Sequence, residues 1–167
     1  MDIALLIVRL IVGLGLAVHG SQKLFGWFGG GGVAGTAGFM ETLGFRPPKA
    51  FAALVGLGEF CGGLLIALGF LGALGPALLV LVMLTAVGSV HISKGFLIAN
   101  GGWELNGLYV AGALALAFAG FGIYSLDHAF NLTFLTDPTH VWIALGIAVI
   151  IALINLGIRR PAKQATP

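Results

Sequence analysis

Of 167 residues, 59% are hydrophobic and only 8% are charged, against roughly 25% charged in ordinary soluble domains. So few charges cannot clothe a water-facing surface, and the chain must be solvated largely by lipid. The formal net charge of +2 includes no long basic run of the kind nucleic acid requires, and the single cysteine, Cys61, excludes an intramolecular disulfide and a CxxC redox pair.

In chain order, Ile3 to Gly20 is apolar apart from Arg9 and is long enough to nearly cross a ~30 Å hydrocarbon layer. Met1-Asp2-Ile3 offers no basic n-region, so this is read as a retained first span rather than a signal peptide. Gly29 to Gly32 breaks any helix, and without a following GK[ST] it is no phosphate loop. Val33, Ala37, Met40 and Leu43 recur at helical spacing and predict a short amphipathic interfacial helix near 33–45, ended by Arg46-Pro47-Pro48-Lys49. Ala50 to Leu71 is a second span carrying Glu59, and Ala73 to Val90 is an uncharged third, joined to it tightly at Gly72. A polar loop, His91 to Glu104, leads to a fourth span, Leu105 to Phe121. A second polar loop, Tyr124 to His140, leads to a fifth, Val141 to Ile158, and Arg159, Arg160 and Lys163 make a basic tail. The expectation is an all-α polytopic membrane helix bundle: a four-helix unit over 1–127, an outer loop and fifth transmembrane helix over 128–158, and a basic tail over 159–167.

Seven of the eight Lys and Arg residues fall on one side of a five-span layout, in the first loop (Lys23, Arg46, Lys49), the third (Lys94) and the tail. The positive-inside rule then places the N-terminus outside and the C-terminus in the cytoplasm. Trp27 and Trp103 fall at the cytoplasmic interface and Trp142 at the outer one, as an aromatic belt requires. Gly58 and Gly62, next to Gly56 and Gly63, read as a small-residue surface for close helix packing.

Two ionisable residues lie inside spans, Arg9 and Glu59. A charge at mid-bilayer costs at least ~2.5 kcal/mol, so each needs a partner. An Arg9–Glu59 ion pair, or a protonated Glu59, satisfies that need, and such a pair could serve only to fix helix register. A second polar group gathers at the cytoplasmic end: His19, Gln22 and Lys23 share a helical face, Trp27 follows, and His91, Trp103 and Glu104 converge from the third and fourth spans. An aromatic-lined cleft with a histidine and a lysine suits a quinone head group, held by its two carbonyl oxygens, and histidine suits proton exchange. Interfacial anchoring by snorkelling and capping is the plainer use of the same residues. Two histidines without a third ligand make no metal site, and the edge position suits no haem. Cys61 reads as a small packing residue, and Asp127 and His128 as solvated loop polarity.

At these residues the chain resembles the DoxX family of small bacterial membrane proteins. The resemblance rests on Arg9, on His19-Gly20-Ser21-Gln22-Lys23-Leu24-Phe25-Gly26-Trp27-Phe28-Gly29-Gly30 and on Phe39-Met40-Glu41. It continues through Gly58-Glu59-Phe60-Cys61-Gly62-Gly63-Leu64-Leu65, His91 with Gly95-Phe96, and Gly101-Gly102-Trp103-Glu104, roughly residues 3 to 127. It implies a four-helix membrane bundle in a bacterial inner membrane and a loose association with redox chemistry, the family being named for the membrane subunit of a thiosulfate:quinone oxidoreductase. The expected function is a quinone-associated redox subunit with its pocket at the cytoplasmic side. A non-catalytic scaffold recruiting a soluble or membrane oxidoreductase is the alternative. A small-molecule transporter fits less well, since no paired, interrupted repeats are visible. The fifth span lies beyond the usual four-span pattern.

Overall fold

The computed structural model describes residues 1–160. Among them every regular element is helical: α1 (Asp2–Phe25), α2 (Gly32–Thr42), α3 (Pro48–Leu68), α4 (Leu74–Ala86), α5 (Glu104–Ala119), α6 (Leu126–Ala129) and α7 (Pro138–Gly157), with short 3-10 turns between them. α4 continues through a π turn, Val87–His91, and a 3-10 turn, Ile92–Lys94. Four of these segments are long and apolar enough to cross a membrane: α1, α3, α4 with its extension to Lys94, and α7. α5 has 16 residues, about 24 Å of helix, yet it also joins the two ends of the bundle. It starts beside the His91 loop, where Glu104 N–H donates to Phe96 O, and just beyond its end Phe121 O meets Arg9 near the start of α1. Five apolar helices therefore connect the same two ends.

The six described basic side chains of the loops and tail, Lys23, Arg46, Lys49, Lys94, Arg159 and Arg160, belong to the end where α1 finishes. Asp2, Asp127 and Asp137 belong to the other. Lys163 lies outside the described residues.

α1 and α3 pack most closely, and small residues permit it. A side chain on Gly13 would meet Ala67 N and Gly63 O at 2.5 and 2.6 Å, and one on Gly63 would meet Ala17 N and Gly13 O at 2.5 Å. Gly20 has the same relation to Phe60. With backbones this near, dispersion and polar contacts replace the hydrophobic drive that lipid removes. Gly58 and Gly62 face the other way, toward Val82 and Leu78 of α4. Gly20 is thus a packing notch within the helix rather than its end. α1 runs on to Phe25, where Gly26 adopts the left-handed conformation (φ 75°) that closes it.

The register of the α1–α3 contact overturns the expected Arg9–Glu59 pair. The register sets Arg9 against Ala67, about 12 Å along α3 from Glu59. Arg9, 2% exposed, donates from Nη1 to Phe121 O (2.7 Å) and from Nη2 to Ala67 O (3.0 Å) and Tyr124 O (3.1 Å), with the Phe121 ring 5.9 Å away. Asp127 acts on it through space, with no direct ion pair between them. Glu59 instead receives the ammonium of Lys23.

Asp127 is likewise not solvated loop polarity: it is 2% exposed. Its carboxylate accepts from Leu71 N (2.8 Å) and Gly72 N (2.7 Å), holding the α3–α4 turn in which both residues have positive φ. Asp127→Asn places an NH2 group against one of those donors and will lower stability by about 2 kcal/mol, read as unfolding in micelles. An unchanged midpoint would return Asp127 to a surface role. At the start of α7, Asp137 Oδ1 accepts from Thr139 N at 2.8 Å, capping the helix beside Pro138 at its first position. This bond holds the exposed Asp137 carboxyl below its usual range, so the cap is kept at neutral pH and lost only as pH falls through that lowered value.

Candidate functional site

The glycine-rich stretch after α1 folds back over the helix that precedes it. Trp27–Gly29 form a 3-10 turn in which Phe28 takes φ 52°, and Gly30 lies so close to the Gln22 backbone that no side chain fits there. Gln22 Nε2 donates to Phe28 O (3.2 Å), which orients the amide so that Oε1 accepts from His19 Nδ1 (3.2 Å). The His19 imidazole is thereby fixed in orientation, with Nε2 as its uncommitted nitrogen. Thr36 of α2 donates to Lys23 O (3.4 Å) and ties that helix to the same turn. As its spacing predicts, α2 buries Ala37 and Met40 and packs Val33 and Leu43 against Phe45, Phe51 and Ala52.

Above this turn the helices enclose a cavity of about 830 Å³. Its walls come from the end of α1, from α2, α3, α4 and α5, and from Ile151 and Asn155 of α7. Most of the lining is aliphatic or aromatic, and the polar groups cluster. Glu59, whose side chain is 5% exposed, accepts from Lys23, whose side chain is 29% exposed. His19 lies within electrostatic reach of the same carboxylate. Tyr109 of α5 meets the His19 ring edge-on at 6.3 Å, and its hydroxyl sits against Gly15, one turn earlier on α1, where any side chain would meet it at 2.5 Å. Asn106, one turn before Tyr109, donates to Met83 Sδ at 3.2 Å.

His91 enters from the π turn of α4, an extra-residue distortion common where a helix presents a functional side chain. Its Nδ1–H donates to Gly101 O at 2.6 Å, which pins the 95–104 loop and leaves Nε2 free.

Of the seven expected ligand-binding residues, His19, Lys23 and His91 line this cavity, and Gln22 orients His19 from outside it. Trp27, Trp103 and Glu104 do not reach it. Trp27 is 56% exposed against Phe25, Trp103 packs on Phe96, and Glu104 Oε2 accepts from Ile98 N (2.9 Å) to hold its own loop. Glu59, Tyr109, Asn106, Thr85, Ser89 and Asn155 are the cavity's polar members that were not expected to bind a ligand. Only the first carried a signal in the sequence, as an acid inside a span, and it pointed to the wrong partner. Cys61 also departs from expectation: it is exposed on the outer face of α3 and lines the cavity rather than packing inside a helix contact.

The α7 end closes the far side. Arg159 Nη1 donates to Ser89 O (3.4 Å) with its guanidinium over the Phe45 ring (5.9 Å), and Arg160 N donates to Gly44 O (2.8 Å). The last crossing is thereby fastened to both the π turn and the α2–α3 turn. A largely apolar, half-open cavity with one acid, one ammonium, two oriented imidazoles and one phenol can bind an amphiphile whose polar head both donates and accepts hydrogen bonds, and can exchange protons with it. Residues 4–92 match the family model described as DoxX. No curated protein and no solved structure matches the chain.

Proposed function

The chain belongs to the DoxX family of membrane proteins, and from that footing we propose that it binds a quinone or closely similar amphiphile in the cavity, as the membrane subunit of a redox assembly. The observation that carries this reading is the Lys23–Glu59 pair, set with His19 and Tyr109 in a largely apolar chamber of about 830 Å³. Buried charge in a membrane bundle marks function more often than architecture. Here the architectural duty of a span-buried charge already falls to Arg9, which ties three carbonyls at the opposite end.

The head group's two carbonyl oxygens have the Lys23 ammonium and the Tyr109 hydroxyl as donors. His19 Nε2, freed by the Gln22 bond to Nδ1, accepts a proton from a hydroquinone or returns one to a quinone. Quinone reduction takes up two electrons and two protons. The protons pass through these side chains, and the electrons come from an oxidoreductase that this chain accompanies. Mass spectrometry of organic extracts from purified protein tests the reading. Wild type is expected to carry a quinone, and His19→Ala to retain about tenfold less. Equal retention by the variant, or an extract free of quinone, would remove it.

The six basic side chains at the His19 end support a cytoplasmic location for that end in a bacterial inner membrane, with the N-terminus outside. A fluorescent reporter fused after Pro167 is expected to fold and fluoresce, and a periplasmic phosphatase reporter there to stay silent. The reverse pattern would invert the orientation. The same charges favour a second reading, a scaffold that recruits an oxidoreductase by its acidic surface. In that case Arg46 and Lys49 replacements weaken co-purification of the partner, and His19→Ala does not.

A further inference from the structure

We infer that the cavity opens sideways into the acyl layer between α3 and α4, and that its ligand is a membrane-dissolved amphiphile whose long apolar tail leaves through that opening; the inference rests on the ligand reading above. Three residues on one stripe of α3, Leu54, Leu57 and Cys61, line the cavity and are at the same time exposed on the outside of the bundle, Leu54 at 63% and Leu57 at 48%. A wall residue that also faces outward marks a rim; Phe39, Ile98, Leu105 and Ile151 do so elsewhere on the cavity, and of these sets the α3 stripe is the one that brackets Glu59. Cys61 is the fourteenth residue of α3, about 20 Å along the helix from its start, so the rim lies at the depth of hydrocarbon and not of water.

Across from this stripe, Leu78 and Leu81 of α4 also line the cavity and are half-buried. Arg159 ties the end of α7 to Ser89 and Phe45, two other lining residues. The polar head therefore sits at Lys23 and Glu59 while everything toward Cys61 is apolar, the polarity order of a head group with a linear isoprenoid or acyl tail. A small water-soluble ligand would have no use for that apolar path.

The test uses the full chain in phosphatidylcholine nanodiscs and two photoreactive probes. One is a benzoquinone with a decyl tail carrying a terminal diazirine. The other is the same tail on a plain alcohol. The expected adducts of the quinone probe concentrate on Leu54, Leu57, Cys61, Leu78 and Leu81. Cys61→Trp is expected to reduce them about tenfold, while Leu153→Trp on the outer face of α7 leaves them unchanged. Adducts confined to Ile98 and Leu105 would show entry from the aqueous end, and adducts spread evenly over α1 and α7 would show plain lipid solvation. Either result overturns the side opening. If both probes label the rim equally and His19→Ala changes neither, the opening stands and the quinone reading falls. If His19→Ala abolishes quinone retention while the adducts lie on Ile98 and Leu105, the head-group site stands and the opening falls.

Discussion

Lys23→Met will destabilise the protein by about 3 kcal/mol, more than Glu59→Gln, and the double variant will recover most of that loss. Removing one member of a buried ion pair leaves the other without compensation, which costs about 3–5 kcal/mol in full burial. The two members are not equally buried. The Glu59 side chain is 5% exposed and that of Lys23 is 29% exposed, so a widowed carboxylate has no water to turn to, while a widowed ammonium can extend outward along its flexible stem. Gln at position 59 still accepts from Lys23 and should cost about 1 kcal/mol. With both replaced, no charge is stranded. Unfolding in mixed micelles supplies the energies of this double-mutant cycle. Quinone retention supplies a second readout: a pair that only joins helices would restore stability and binding together, whereas a ligand-binding pair restores stability and leaves binding lost. Additive costs would show that the two side chains are not coupled.

Gly63→Leu will prevent α1 and α3 from docking, with a loss of at least about 3 kcal/mol. Overpacking a core commonly costs about 1–3 kcal/mol because side chains can shift. Here the added carbon meets Ala17 N and Gly13 O at 2.5 Å, which are backbone atoms of a helix that cannot move without sliding the whole interface. The slide would also pull Lys23 from Glu59 and Arg9 from Ala67 O, since one register fixes both. Gly58→Ala is the matching control, because its added carbon meets a single Val82 methyl at 3.1 Å. It should change stability by less than about 1 kcal/mol. Comparable losses in the two variants would mean that the α1–α3 contact has no special place in the bundle.

The membrane class, the four helices long and apolar enough to cross, the shorter apolar α5 and the helix over Gly32–Thr42 were legible because each is a property of a local window: hydropathy over about twenty residues, or apolar spacing over three turns. The amphipathic pattern of Val33, Ala37, Met40 and Leu43 needed no tertiary knowledge, and it is met in the cluster around Phe45. Partner choice was not legible, because it depends on register between helices. Depths counted along the spans put Arg9 within about 7 Å of Glu59, whereas the Gly13–Ala67 and Gly20–Phe60 contacts set a register that separates them by about 12 Å along α3. Tyr109 and Asn106 carried no sequence signal, since a phenol or an amide in an apolar helix has many ordinary uses. Asp127 was misread because a loop acid looks the same in sequence whether it meets water or two backbone N–H groups. Trp103 and Glu104 do stand at the expected end of the bundle, but their contacts are spent on shaping their own loop.

The clasp made by Arg159 and Arg160 has a consequence for biogenesis. Ile151 and Asn155 supply part of the chamber wall, and they are translated after every other residue that lines it. A nascent chain that has inserted only its earlier crossings therefore lacks part of that wall, and the cavity is completed only by the final insertion event.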